Sequence, residues 1–132
     1  MATHADVGAD LLLRYPDFAK GASIVRFHHE RWDGRGYPHK RRGTDIPLGA
    51  RIVAVADSYD AMTSNRPYGA TMGADQAVAI LRAGGGAQWD AKIVEAFVAV
   101  LESKGVLSLA PASRQNMPLV ASTRVVRARV AA

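Results

Sequence analysis

Two adjacent histidines and two aspartates are the residues best suited to chemistry in this chain. His28 and His29 stand side by side, and Asp57 and Asp60 lie one helical turn apart in a long apolar segment. The 132 residues include no cysteine, so a metal ion would have to be held by nitrogen or oxygen from His, Asp, Glu or the backbone. Disulfides and thiolate nucleophiles are excluded for the same reason.

The two aspartates require a partner if their helix is buried, because an unpaired carboxylate is costly to remove from water. A metal ion is one possible partner. An arginine is the other, and Arg51 and Arg66 are both near in sequence. An Asp–Arg ion pair at a helix end is therefore an alternative to a metal site.

The two histidines also allow two interpretations. Neighbouring residues on a helix point about 100° apart, so His28 and His29 suit two adjacent ions better than one ion. Ligands for a single ion usually come from positions i and i+3 or i+4. The alternative is a pair of ordinary half-exposed histidines. His39, beside Lys40, is most simply a solvated loop residue.

A longer pattern surrounds these residues. The run from His28 to Pro38, HHERWDGRGYP, resembles the HHExxDGxGYP signature of HD-GYP domains, and His4 with Gly8 is similar to their HxxxG element. Further stretches follow in the family's order and spacing: Ile46-Pro47-Leu48, Ala50-Arg51-Ile52, Val55-Ala56-Asp57, Asp60-Ala61 and Asn65-Arg66-Pro67-Tyr68. The similarity covers roughly residues 4 to 100.

The resemblance implies a chemistry. In HD-GYP domains, helices hold two or three iron or manganese ions, and a metal-bridging hydroxide attacks the phosphorus of cyclic di-GMP. By resemblance, the metal ligands are His4, His28, His29 and Asp57. Asp57 and Asp60 are the predicted catalytic residues; Asp60, one helical turn beyond Asp57, is predicted to act as an acceptor that orients a ligand histidine.

The substrate side of the site follows from the same resemblance. Arg66 stands where the family grips the substrate phosphate, and Tyr37 belongs to the loop that shapes substrate access or docks a partner. Arg66 as a charge at a helix C-terminus, and Tyr37 as a packed loop anchor, are the structural alternatives.

The chain departs from the family at two places. A complete member carries a Glu and a His on earlier helices and then the His-Asp pair, none of which has a counterpart here, and Gly69 replaces the usual Lys or Arg. We therefore expect an incomplete ligand set. Two hypotheses follow: a cyclic di-GMP phosphodiesterase whose activity as this chain alone is open, and a non-catalytic module that docks a signalling partner, such as a diguanylate cyclase-type domain, through the GYP loop.

Hydrophobic periodicity predicts an all-α, HD-type helical bundle, truncated on its N-terminal side. The predicted helices span 5–14, 18–29, 48–64, 73–83 and 90–103, with an ordered loop at 31–49. The helix at 48–64 is apolar on nearly every face and is expected to be buried, although Val53, Val55 and Ala56 would be partly bare where earlier helices are missing, a surface that favours homo-oligomers. We expect a partial HD-GYP domain at 1–104 and a weakly ordered, basic, proline-containing tail at 105–132, with one possible strand around Val125, Val126 and Val130.

The net charge of +5 does not indicate a nucleic-acid-binding core. Residues 1–102 hold twelve Lys or Arg and twelve Asp or Glu, so the whole excess lies in the tail. The start has no basic region followed by an apolar one, and no window resembles a membrane span. The expected location is the cytoplasm, with no membrane partner.

Overall fold

The computed structural model describes residues 3–64 and 71–107, and this part of the chain is helical. Its five α-helices are α1 (His4–Leu13), α2 (Ala22–Phe27), α3 (Leu48–Thr63), α4 (Ala74–Gly84) and α5 (Ala91–Ser103), with 3-10 turns at Ala19–Gly21 and Gly43–Asp45. The predicted all-α fold with about five helices is confirmed, and no strand occurs within these two ranges. Residues 65–70, most of the tail and the possible strand lie outside the described residues.

The main core lies where α3, α4 and α5 meet. Its buried side chains are Val55, Val78, Leu81, Trp89, Val94, Val98 and Leu101. The Trp89 ring lies directly on Gly84, where any Cβ would overlap the indole, and the indole N–H donates to Ser58 Oγ at 3.1 Å. The α4–α5 connection is thereby fixed to the middle of α3.

Helix α2 joins this core to α1. Gly8 on α1 and Gly49 on α3 allow close approach, because a Cβ at Gly8 would be 3.1 Å from Val25 and a Cβ at Gly49 would overlap Ile24. Phe27, Ile46 and Ala50 form a smaller buried cluster behind α2. These contacts place the start of α1 beside the end of α2.

A buried ion pair joins the first turn of α3 to the start of α5. Arg51 Nη1 lies 2.8 Å from Asp90 Oδ2, and Asp90 is only 5% exposed. Arg51 Nε also donates to the Ile46 carbonyl at 2.9 Å, and Asp90 Oδ1 caps α5 by accepting from Lys92 N at 3.0 Å. The Asp–Arg alternative is therefore wrong for Arg51, which pairs with Asp90 and not with Asp57 or Asp60.

The prediction of one helix over 18–29 is wrong. A 3-10 turn precedes α2, which ends at Phe27, and His28 is its C-cap. His28 Nδ1 is bonded to the Val25 carbonyl at 2.7 Å, and the Glu30 amide closes a turn on the Phe27 carbonyl at 3.0 Å. These bonds replace the next helical turn, so both histidines lie at a helix end and not along a helix.

The expected burial of α3 is met on one face, which includes Ala50 and Val55. Ile52 is 46% exposed and Val53 is 38% exposed, and Ala56, Asp57 and Asp60 share that exposed face. Bare surface at Val53 and Ala56 agrees with the prediction, whereas Val55 is fully buried against α4 and α5. Within the described ranges, no helix is long and apolar enough to cross a membrane.

The buried Arg51–Asp90 pair predicts a large difference between two arginine substitutions. Arg51→Met leaves the Asp90 carboxylate buried without its cation, and we expect a loss of about 3 kcal/mol or more in the free energy of unfolding. Arg82→Met removes the exposed Arg82–Glu95 pair and should cost less than about 1 kcal/mol. Urea unfolding followed by circular dichroism measures both, and equal losses would contradict the assignment.

Candidate metal centre

Three histidines from two separate segments meet at one point on the surface. His4 lies in the first turn of α1, and His28 and His29 follow the last turn of α2. Each ring offers one nitrogen, and these three atoms all lie within 4.8 Å of one another. The end of α2 turns both rings towards His4, so the three nitrogens converge although neighbouring residues along a helix would point about 100° apart.

The closest approach within this cluster joins His4 and His29. Their Nε2 atoms are 3.0 Å apart, and the ring centroids are 5.0 Å apart in an edge arrangement. Two imidazole nitrogens bound to one ion at about 2.1 Å and about 90° to each other would also be about 3.0 Å apart. The donor set therefore fits a metal ion. Without an ion, one of the two nitrogens must carry the proton that joins them.

The backbone orients His28. The bond between its Nδ1 and the Val25 carbonyl requires a proton on Nδ1, which leaves Nε2 as the free acceptor. A metal-binding histidine commonly donates its other ring N–H to a carbonyl or carboxylate in this way. The orienting role predicted for Asp60 is filled at His28 by a backbone oxygen.

The electrostatics of the cluster favour a neutral His29 ring. The pKa of His29 falls to about 4, first because of burial and then because of repulsion from His28 and His4, against an opposing attraction from Asp57. His29 is therefore unprotonated at neutral pH. An unprotonated imidazole is the form that binds metals.

The two aspartates of α3 differ in their relation to this cluster. Asp57 is exposed and acts electrostatically on His29, but it is not among the groups that meet within 4.8 Å. The Asp60 carboxylate accepts a hydrogen bond from Ser64 Oγ at 2.6 Å. Among the contacts of the described residues, none joins Asp60 to a histidine.

A buried glutamate organises the loop that follows the histidines. Glu30 is only 4% exposed, and its carboxylate accepts from the backbone amides of His39 at 2.7 Å and Arg41 at 3.1 Å. Gly36 crosses the chain at residues 29–31 so closely that any Cβ would overlap their backbone. The loop therefore folds back over the residue that follows the two adjacent histidines.

His39 is an exposed loop residue, as predicted, with 49% of its side chain accessible, but it also makes specific contacts. Its Nε2 lies 3.1 Å from Asp6 Oδ1, and its ring packs edge-on against Phe27 at 5.5 Å. The hydrogen bond from His39 is the largest cause of a lowered pKa at Asp6. The Arg41 guanidinium also lies over the Phe27 ring, with its Cζ atom 4.1 Å from the ring centre. These contacts attach the loop to α1 and α2.

Tyr37 is the one of the two predicted substrate-contact residues that lies within the described part of the chain. The Tyr37 ring stacks on His29 with centroids 4.8 Å apart and planes 23° apart, and burial raises the pKa of its hydroxyl. Arg66 lies outside the described residues, as does Gly69. Their roles stay predictions.

The profile of the HD domain family matches residues 1–93, most of the chain. The chain belongs to the HD domain family. Members of this family are metal-dependent, and the histidine cluster supplies ligands of that kind.

Relatives of known activity refine this membership. A cyclic di-GMP phosphodiesterase of Vibrio cholerae is 49% identical over 79 residues, which are 60% of this chain and 16% of that protein. A cyclic di-GMP phosphodiesterase of Thermotoga maritima is 41% identical over 100 residues, covering 74% of this chain and 27% of that protein. The resemblance to HD-GYP proteins is confirmed.

A solved structure supports the same placement. The crystal structure of a cyclic GMP-AMP-specific phosphodiesterase of V. cholerae superposes with a TM-score of 0.64 and 26% identity, covering 82% of this chain and 28% of that one. The HD-type helical fold is therefore confirmed. This HD domain chain spans less than a third of the length of each of these three proteins.

Several residues that shape this HD domain site were missed by sequence reasoning. The sequence offered one indication for Glu30, because an acidic residue directly after two adjacent histidines had been given no role. Asp6 gave a weaker one, two residues after His4. The Val25 carbonyl gave none, since a backbone acceptor carries no residue-type signature. Of the four residues implied as ligands, the structure brings His4, His28 and His29 together and leaves Asp57 beyond them.

The role of Glu30 predicts a specific loss on substitution. Glu30→Gln keeps the side-chain length but replaces one buried acceptor oxygen with an NH₂ group that faces a backbone N–H. We expect the free energy of unfolding to fall by about 1–3 kcal/mol. Glu102→Gln, on an exposed position of α5, is the matched control and should change it by less than about 0.5 kcal/mol. Thermal and urea unfolding measure the difference; similar stability in both variants would contradict the role.

Proposed function

We propose that this chain supplies part of the metal centre of a phosphodiesterase that hydrolyses a cyclic dinucleotide, with cyclic di-GMP as the substrate. The observation that carries the proposal is the convergence of His4, His28 and His29, with the Nε2 atoms of His4 and His29 at 3.0 Å. The second support is the similarity to cyclic di-GMP phosphodiesterases in two organisms.

Iron or manganese is the proposed metal. Imidazole together with carboxylate suits these ions, and the chain has no thiolate to favour softer ones. His4, His28 and His29 would hold the ion, and Asp57 is the proposed carboxylate ligand from α3. When bound, such an ion lowers the pKa of water and neutralises charge that develops on a phosphate.

The side chains around the cluster serve the same reaction. Asp57 brings negative charge to a site whose His29 is neutral. Arg35, Lys40 and Arg42 are exposed on the loop that follows the histidines, and their charges would attract an anionic dinucleotide. Arg66 is proposed to bind a substrate phosphate through its guanidinium, and Tyr37, whose ring stacks on His29, is proposed to border the substrate.

The named activities of the relatives limit the substrate class. Two relatives are cyclic di-GMP phosphodiesterases, and the solved structure is of a cyclic GMP-AMP-specific one. Both substrates are cyclic dinucleotides with two phosphodiester bonds, which the same ligand chemistry would attack. We propose cyclic di-GMP first because two cyclic di-GMP phosphodiesterases match this chain over 79 and 100 residues at 49% and 41% identity.

Metal binding tests the centre directly. We expect His29→Ala and His4→Ala to weaken Mn²⁺ binding at least about tenfold, because each removes a ligand nitrogen from the cluster. Glu102→Gln, which changes an exposed carboxylate on α5 outside the cluster, should bind Mn²⁺ within about threefold of the unchanged protein. Isothermal titration calorimetry measures the affinities. Equal binding by all four proteins would refute the centre.

Hydrolysis tests the reaction. The Mn²⁺-loaded or Fe²⁺-loaded protein should convert cyclic di-GMP to linear pGpG or GMP, and Asp57→Asn should reduce the rate at least about tenfold. Asp60→Asn should reduce the rate less than Asp57→Asn does, because the hydrogen bond of the Asp60 carboxylate is to Ser64. Chromatography of the nucleotides measures both rates. Bound metal without turnover would refute the hydrolase and support the docking module instead.

A further inference from the structure

Tyr37 contacts His29 through both its backbone and its ring. The Tyr37 amide donates to the His29 carbonyl at 3.3 Å, and the two rings stack at 4.8 Å. The ring is 43% exposed, so one side faces His29 and much of the remainder faces solvent. The placement differs from that of a core tyrosine, because its principal ring contact is a metal-ligand candidate.

The backbone around Tyr37 is held on both sides. Gly36, the preceding residue, lies against the backbone of residues 29–31. His39, two residues later, donates its amide to the buried Glu30 carboxylate at 2.7 Å and bonds its ring to Asp6 at 3.1 Å. Because these contacts flank Tyr37, its ring is presented to His29 from a fixed position.

His29 has different neighbours elsewhere around its ring. The His28 ring lies 3.9 Å away at an angle of 40°, and His4 meets His29 with its edge. Stacking by Tyr37 therefore restricts rotation of the imidazole about its Cβ–Cγ bond, which is a broad torsion in an unrestrained histidine. A rotation would move Nε2 away from the nitrogen of His4.

We propose that Tyr37 is a positioning residue that holds the His29 imidazole in its metal-binding orientation. The inference rests on the proposed metal centre and adds a role for the tyrosine of the loop that is separate from any substrate contact. The stacked face, and not the hydroxyl, carries this role. A phenyl ring should therefore replace the phenol, whereas an aliphatic side chain should not.

Three variants of the full chain test this role. Tyr37→Phe should bind Mn²⁺ like the unchanged protein, and Tyr37→Ala and Tyr37→Leu should each bind about threefold to tenfold more weakly, the range that an aromatic pair contributes. Tyr37→Leu keeps apolar bulk, so it serves if the alanine variant is unstable. Tyr15→Ala removes a more exposed tyrosine that follows α1, outside the histidine cluster, and should leave the affinity unchanged.

A metal-free readout separates positioning from general stability. In the NMR spectrum of the protein without metal, the His29 ring protons should be shifted by the ring current of Tyr37, and this shift should persist in Tyr37→Phe and vanish in Tyr37→Leu. Retention of Mn²⁺ affinity in Tyr37→Leu, or loss of affinity in Tyr37→Phe, would overturn the role. If the unchanged protein binds no Mn²⁺, the proposed centre itself fails, and the positioning role fails with it.

Discussion

The buried carboxylate of Glu30 is the constraint on which the site depends. A carboxylate with so little exposure must have its oxygens satisfied inside the protein. Glu30 meets this requirement with two backbone amides, those of His39 and Arg41. Because these donors lie nine and eleven positions further on, the chain between them must return to the end of α2. The cost of ordering that loop is offset by charge-assisted hydrogen bonds in a site sheltered from water.

The same constraint connects the loop with the histidine cluster. Glu30 directly follows His29, so the fixed carboxylate also fixes the end of α2. On the other side of the cluster, α1 is held by Gly8 against Val25 and by Arg26, which forms ion pairs with Asp6 and Asp10. The cluster is thus a product of two segments whose positions are set by different interactions.

The sequence predicted most helices to within a residue or two at each end, because the apolar periodicity of α1, α4 and α5 comes from the faces that they bury. It failed at the start of α2, where a 3-10 turn at Ala19–Gly21 replaces the first predicted helical turn. The end of α2 lies two residues from the predicted one and is set by the His28 side chain and by the loop that Glu30 holds. Both depend on contacts that form only in the folded chain. The partner of Arg51 was mispredicted for the same reason. Local spacing suggested an ion pair with Asp57 or Asp60, but Arg51 pairs with Asp90, which is 39 positions away.

The site residues divide in the same way. The sequence motif and the family resemblance identified the site residues. The convergence of His4 with His28 and His29 depends on the tertiary structure, which packs α1 against α2. Asp57 and Asp60 were expected to need partners because α3 is so apolar. On the exposed face of α3, water satisfies much of that need, so their presence on an apolar helix is a weaker indication of a metal than the sequence suggested.

Asp57 bears on the site through its charge. Neutral imidazoles bring nitrogen donors to a divalent cation but no negative charge, and His29 is held neutral by its surroundings. A carboxylate nearby supplies what the rings do not, and Asp57 is the acid whose field reaches His29. Its place on α3 also connects the site to the Arg51–Asp90 pair through one rigid helix. The position of the carboxylate relative to the histidines is therefore governed by the packing of α3 on α2 and α5, and not by the loop.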